Sequence, residues 1–280
     1  MVQPILLVTG TSTGIGLATA VAAARAGFRV VATMRDTAKG GLLHAAAREA
    51  EVELDIRTLD VTDAGSVTSC IDAVMTQYGR LDAVVNNAGA GHLGTIEGET
   101  LDDVRAVMEV NFFGVVTVTK ATLPHLRETG GRLVTISSVG GVVGQPFNEA
   151  YCAAKFAVEG FMESLTPLAA TLGVPVSIVE PGAVSTEFVA NVGVDVPAML
   201  EAIGPYGPAL EAYLARTAAA FDPSRAQTPD AVATAIVDLL LSEHPPARLQ
   251  TSETARQFVG AKLADLDGSA VQGMTSGWVR

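Results

Sequence analysis

The sequence predicts an α/β protein built on one doubly wound parallel sheet with helices on both faces. Short apolar runs alternate with longer helical patterns over the first two-thirds of the chain, and that alternation calls for crossover helices on a parallel sheet. Several of the runs are rich in Val and Ile, as strands covered on both faces are. A glycine-rich turn also follows the first run and opens the first helix, which is where such sheets hold phosphate.

Taken in order, Ile5–Val8 leads through that turn into a helix at Gly16–Ala26, and Arg29–Thr33 leads into Gly40–Ala50. Ile56–Leu59 precedes Ser66–Tyr78, with Asp63 placed to cap it, and Ala83–Val85 precedes Leu101–Leu126 behind the cap Thr100; short oxygen-bearing side chains satisfy the open N–H groups of a first turn. Arg132–Ile136 leads into Tyr151–Leu172, and Val176–Val179 is the sixth strand. The alternation then breaks over residues 191–228, where Pro197, Pro205, Pro208 and Pro223 separate short helical pieces such as Ala209–Ala220. A long interruption in a compact domain is commonly functional. Met199, Leu200, Ile203, Tyr206, Leu210, Tyr213 and Leu214 mark it as a helical substrate lid. Pro229–Leu241 is one more amphipathic helix, and the tail to Arg280 carries Trp278.

Composition narrows the function. At 280 residues the chain fits a single domain, with a core at 1–190, the lid at 191–228 and a C-terminal helix and tail at 229–280. A 49% hydrophobic and 17% charged composition excludes disorder. Cys70 and Cys152 cannot make a disulfide framework, which fits a reducing compartment. A net charge of −12 argues against a nucleic-acid partner. Met1–Ala24 has no charged side chain, but its centre, Thr9-Gly10-Thr11-Ser12-Thr13-Gly14, is polar, and it lacks the basic start of a signal peptide. No membrane span is expected, and a cytoplasmic location is. His44, His92, His125 and His244 show no ligand spacing, so no metal is expected either.

Two motifs carry chemistry. Gly10, Ser12, Thr13, Gly14, Ile15 and Gly16 form a Gly-x3-Gly-x-Gly turn, which differs from the commoner Gly-x-Gly-x-x-Gly. A glycine cluster by itself is about as often a plain turn, but its place in the first strand–helix unit favours a dinucleotide site of the Rossmann type. Tyr151 and Lys155, four apart on a helix, share a face. A cation beside a phenol lowers a pKa that starts near ~10, as an acid/base for alcohol–carbonyl interconversion requires. Alone, such a pair is more often a surface pair.

With Asp60-Val61, Asn86-Asn87-Ala88-Gly89, Asn111, Ser137-Ser138 and Pro181-Gly182-Ala183-Val184-Ser185-Thr186 in the same order, the chain resembles the short-chain dehydrogenase/reductase family from about Ile5 to Val189. Residues 138–160, Met34-Arg35-Asp36 and Phe221 to Val232 resemble the branch holding 17β-hydroxysteroid dehydrogenase type 1 and retinol dehydrogenases. The resemblance implies Tyr151 as the acid/base and Ser138, 13 residues before it, as the group that holds the substrate oxygen. Lys155 would grip the nicotinamide ribose and lower the tyrosine pKa, and Asn111 would hold a relay water. Asp60 and Val61 would contact adenine, and Asn87, Ala88 and Gly89 would serve both cofactor and strand end. The Pro181, Gly182, Val184 and Thr186 segment would meet the carboxamide. Pairing through the helices of Asn111 and Tyr151 is implied too, giving a homodimer or homotetramer.

NADP(H) is expected over NAD(H). An NAD enzyme of this fold carries a carboxylate at the end of the second strand, where this chain has Met34 followed by Arg35. A guanidinium suits a 2′-phosphate, and Thr13 offers a further donor. Asp36 would be the ribose acceptor if the register slipped by two residues. Gln145, Phe147, Asn148, Phe188 and Tyr213 would shape the substrate site, and the apolar lid favours a steroid, retinoid, long-chain or aromatic alcohol or ketone over a sugar. A 3-oxoacyl thioester reductase and a non-catalytic cofactor-sensing protein are the alternatives.

Overall fold

The computed structural model describes residues 3–186 and 195–280. Among them, seven strands form one sheet in the order β3-β2-β1-β4-β5-β6-β7, parallel throughout. The strands are β1 (Ile5–Thr9), β2 (Arg29–Met34), β3 (Leu54–Thr58), β4 (Ala83–Asn86), β5 (Arg132–Ile136), β6 (Val176–Glu180) and β7 (Arg248–Gln250). On one face lie α1 (Gly14–Arg25), α2 (Gly41–Glu49) and α9 (Pro229–Leu241); on the other lie α3 (Ala64–Tyr78), α5 (Gly114–Thr129) and α6 (Glu149–Ala170). The period-2 pleat divides each strand between two cores. In β1, Ile5 and Leu7 join Val67, Val118 and Met162, whereas Leu6 and Val8 join Ala20, Leu43 and Ile236. That double burial is why the strands read as unbroken apolar runs. Strand order reverses at β1, between β2 and β4, so the carboxyl ends of those strands open the crevice where ligands sit in such sheets.

All six expected strands form, β3 starting at Leu54 rather than Ile56. The seventh, β7, has no apolar run behind it: it is three half-buried residues, Arg-Leu-Gln, at the sheet edge, held by β6 through Ile178, Val179 and Glu180. Both expected caps are present. Asp63 accepts from Gly65 N, and Thr100 and Asp103 make a reciprocal capping box, a cap contributing about 1 kcal/mol.

The long helix expected over Leu101–Leu126 is interrupted. α4 (Leu101–Met108) passes through a π turn at Glu109–Phe113 before α5 begins. A π turn inserts an extra residue into the ladder and re-aims the side chains within it; here one of them is Asn111. Among the described residues, Leu101–Thr129 is the one stretch of helix long and apolar enough to cross a membrane. Its buried face packs on α3, α6, β4 and β5.

The segment expected to be a lid, described from residue 195, contains α7 (Val196–Ala202), a short turn at Gly204–Tyr206 and α8 (Gly207–Ala220). The tail, featureless in sequence, adds α10 (Glu253–Leu263) and α11 (Ser269–Ser276). Lid and tail meet in one cluster built on Phe147, Leu210, Tyr213 and Trp278. The Arg216 guanidinium lies 3.4 Å from the Trp278 ring centroid, and Phe258 stacks on the same ring at 5.7 Å. Part of the apolar lid surface therefore serves to hold the lid against the tail.

Candidate active site

At the carboxyl end of β1 the chain must turn sharply, and Gly10 does so with φ +71°. The turn is clamped from β4. Asn87 Nδ2 donates to the carbonyls of Thr9 and Gly10, each at 2.9 Å, while Thr9 Oγ1 accepts from the N–H groups of Asn87 and Ala88. A Cβ on Gly10 would come within 2.7 Å of Ala88 Cα, and one on Gly16 within 2.2 Å of the Gly10 oxygen. Glycine is required at both places for close approach of backbone to backbone. Thr13, the N-cap of α1, makes no side-chain cap bond, so its hydroxyl is not used to close the first turn, and the helix N-terminus begins at the crevice. Thr186 closes it from the β6 side, 3.4 Å from where a Cβ on Gly14 would stand. We expect Gly16→Ala to weaken dinucleotide binding at least tenfold and to lower stability by roughly 1–3 kcal/mol. NADPH fluorescence titration and a thermal melt read the two effects, and wild-type values in both would refute the tight-packing requirement.

At the end of β2, Met34 is buried at 3% exposure, and Arg35 is the first residue past the strand, exposed to solvent. Asp36 is engaged elsewhere: its side chain accepts from Ala38 N at 3.0 Å and caps a short turn. Asp60 arrives from the end of β3. Burial raises its pKa, but the N–H and hydroxyl of Thr62 and the charge of Arg35 outweigh this, so the net direction is down. Val61, buried, lies against Gly114, where a Cβ would come within 2.7 Å of the Val61 side chain.

The end of β4 continues to the second group of side chains. A Cβ on Gly89 would meet Asn111 Oδ1 at 2.9 Å and Lys155 Nζ at 3.6 Å. Asn111, fully buried, accepts from Ala90 N and donates to the Ala90 and Val107 carbonyls. Lys155, 4% exposed, donates to the Ile136 carbonyl at 3.0 Å and stands 5.8 Å from the Tyr151 ring centroid. Burial brings its pKa down to about 8, against the upward pull of Glu159. The Tyr151 hydroxyl is hydrogen-bonded to Ser138. Burial pushes the phenol well above its ordinary range, the Ser138 bond pulls it down, and neighbouring Cys152 adds a further upward push. Ser138 is aimed by its own turn, accepting from Gly140 N at 3.0 Å.

The structure thus brings Ser138, Tyr151, Lys155 and Asn111 to the same sheet end as the glycine turn. Gln145 belongs with them, because its amide and the Tyr151 ring both border the space above Gly140. Pro181–Thr186 is tied down by Val184, which pairs with Gln227. Asn148 and Tyr213, both expected to shape the substrate site, bond to each other at 2.6 Å, with Tyr213 only 5% exposed. Phe188 lies outside the described residues. Two surface clefts near Pro175 and Ala247 sit at the opposite end of the sheet and include none of these residues. Among the described residues, no cluster of three or more His, Cys, Asp or Glu is arranged to hold a metal.

Phe147, also expected to shape the substrate site, has a φ of +58°, which places a bulky residue in the left-handed region. It is four residues before Tyr151, and its ring packs on Tyr213 at 5.4 Å; strain of this kind gathers at functional sites. Sequence reasoning missed the buried carboxylates Glu159 and Glu180, which share the Arg248 guanidinium at 3.2 and 3.7 Å.

Residues 4–196 match the model of the short chain dehydrogenase family. Retinol dehydrogenase 8 of Bos taurus is 39% identical, over 94% of this chain and 86% of its own. The 17-beta-hydroxysteroid dehydrogenase type 1 of Homo sapiens is 37% identical, over 96% of this chain and 84% of its own. A short-chain dehydrogenase from Streptomyces avermitilis superposes with a TM-score of 0.77 at 32% identity, covering 99% of this chain and 97% of that one.

Proposed function

The chain belongs to the short-chain dehydrogenase family, and on that premise we propose that it is an NADP(H)-dependent oxidoreductase interconverting an alcohol and a ketone or aldehyde on an apolar substrate. The observation that carries the reading is the hydroxyl pair Ser138–Tyr151 beside the buried Lys155, at the sheet end that also holds the glycine turn. The dinucleotide fits this chain on structural grounds. Gly10, Gly16 and Gly89 keep open a cradle that a Cβ would fill, and the N-terminus of α1, not closed by a side-chain cap, begins there.

When bound, the cofactor supplies the hydride. Tyr151 gives its proton to the carbonyl oxygen in reduction and takes it back in oxidation. Ser138 donates to that oxygen and stabilises its growing charge. Lys155 holds the nicotinamide ribose and its ammonium favours the phenolate. Asn111 holds the relay water to Lys155 while its bonds to Ala90 fix the end of β4. Gly14, Ile15 and Gly16 meet the pyrophosphate, Asp60 and Val61 the adenine, and Pro181–Thr186 the carboxamide. Arg35 at the end of β2, where Met34 turns inward and Asp36 caps a short turn, supports NADP(H).

The resemblance to retinol and hydroxysteroid dehydrogenases and the apolar lid support a bulky apolar substrate. Protein mixed with NADPH and a ketone panel is expected to turn over bulky apolar ketones faster than polyhydroxylated ones. The opposite ranking would refute the lid reading, and a preference for phosphopantetheine-borne 3-oxoacyl thioesters would favour that reductase class. Silence across the whole panel would favour a cofactor sensor.

Part of the same proposal is a cytoplasmic homodimer or homotetramer. Phe113 and Phe156, 48% and 41% exposed, leave apolar rings on the two helical segments expected to pair. Light scattering is expected to give twice or four times the monomer mass; a monomer at micromolar concentration would refute it.

A further inference from the structure

Three side chains of the tail, Phe258, Met274 and Trp278, stand between the Ser138 turn and α8. α10 packs against β7 and against the turn at Val139–Gly141 that Ser138 opens. On that side Phe258 of α10 and Met274 of α11 join Val139, Val142 and Val143 in one apolar cluster. On the other side the same two residues meet Leu210 and Tyr213 of α8, with Trp278 buried among them at 7% exposure. Past α11 the chain turns, Trp278 N donating to the Thr275 carbonyl at 3.0 Å. The Phe258 ring stacks on the indole at 5.7 Å with 20° between the planes. Arg216, one turn beyond Tyr213 on α8, sets its guanidinium 3.4 Å from the centroid of the same ring.

The position of α8 depends on these side chains more than on its backbone. The segments packed closely against it are α7 and the turn at Gly204–Tyr206, both from the same excursion of the chain, and among the described residues no strand does so. What joins α8 to the rest of the protein is Leu210 and Tyr213 against Phe147 and Trp278, together with the Asn148–Tyr213 hydrogen bond. Asn148 is the N-cap of α6, three residues before Tyr151. Close-packed aromatic rings are large and stiff, so they fix a separation instead of yielding to it.

We propose that Trp278, backed by Phe258, is a spacer that sets the distance between α8 and the Ser138 turn, and is thereby a positioning residue that determines which substrates the site accepts. The inference rests on the oxidoreductase reading with its apolar lid, and it adds the residue that fixes the width of that site. Acting through α8, Trp278 bears on substrates large enough to reach that helix, and not on the proton step or the dinucleotide.

The test compares Trp278→Ala with the wild type on the bulkiest and the smallest ketone that the wild type reduces. For the bulky ketone kcat/KM is expected to fall about tenfold or more, through KM, because truncating a buried aromatic leaves a cavity into which α8 can shift. For the smallest ketone and for NADPH, KM is expected to stay within about twofold. Trp278→Phe keeps a ring against Phe258 and restores most of the loss. A purely structural role would lower the rates on both ketones together. Limited trypsin digestion reads the same contact without cofactor or substrate. Cleavage after Arg216 is expected to be about tenfold faster in Trp278→Ala, with cleavage after the exposed Arg105 unchanged. If the alanine variant does not fold, Phe258→Leu, which removes the stack from the α10 side, is expected to give the same split between ketones. Equal losses on the two ketones, or unchanged cleavage after Arg216 in a folded Trp278→Ala protein, would overturn the proposal. A wild type that reduces no ketone would remove the oxidoreductase reading alone, since faster cleavage after Arg216 would still show that Trp278 holds α8.

Discussion

Tyr151→Phe is expected to lower kcat by roughly 10²–10⁴-fold, the contribution of a positioned general acid, while leaving NADPH affinity within about twofold. The variant removes one oxygen atom, and the ring keeps its place on α6 between Ser138 and Lys155. Ser138 then loses its hydroxyl partner, but its bond to Gly140 N still fixes the turn. The same site gives a direction-dependent pH profile. With burial holding the phenol above its ordinary range, Tyr151 keeps its proton through neutrality. Reduction, which uses the protonated form, is expected to be flat around pH 7. Oxidation, which uses the phenolate, is expected to rise with pH as the proton leaves. Single-turnover kinetics in both directions check this. Retained activity in the phenylalanine variant, or oxidation that falls with rising pH, would remove Tyr151 from the chemical step.

Arg35→Ala is expected to raise the NADPH Michaelis constant about tenfold or more and to leave that for NADH nearly unchanged. Hydrogen bonds between a guanidinium and a phosphate contribute roughly 1.5–3 kcal/mol, which is the source of that factor. Three features point the residue to this task. Met34 turns into the core, so β2 ends without a carboxylate. Asp36, which a two-residue slip in register would make the ribose acceptor, spends its side chain on Ala38 N. The Arg35 charge helps lower the pKa of Asp60 at the end of the neighbouring strand, so the two side chains act on the same side of the crevice. Initial rates with each cofactor decide the matter. Equal effects on the two, or a wild-type preference for NADH, would refute the assignment.

The sequence by itself determined the elements whose cause is local. Five strands were legible because both faces of an inner parallel strand are buried, so Ile5–Val8 or Arg132–Ile136 has no polar alternation to hide it, whereas β3, half-buried at the sheet edge, starts two residues before the run that marked it. The glycine turn, the caps at Asp63 and Thr100 and the i, i+4 pair Tyr151–Lys155 were legible for the same reason: spacing along one element sets their geometry. Tertiary structure alone decided the rest. β7 is strand because β6 offers it an edge, not because Arg-Leu-Gln prefers one. The π turn is placed where α4 meets α6 and the end of β4, and it carries Asn111 to the Ala90 backbone. Asn148 and Tyr213, 65 residues apart, bond only because α8 packs back onto Phe147 and the start of α6. Glu159 was visible as a charge on α6, but the guanidinium beside it, Arg248, comes from β7, and Glu180, which shares that guanidinium, comes from β6. Local spacing fixes what one helix or strand presents; the energy of a buried charge depends on everything packed around it, and that is set only when the sheet closes.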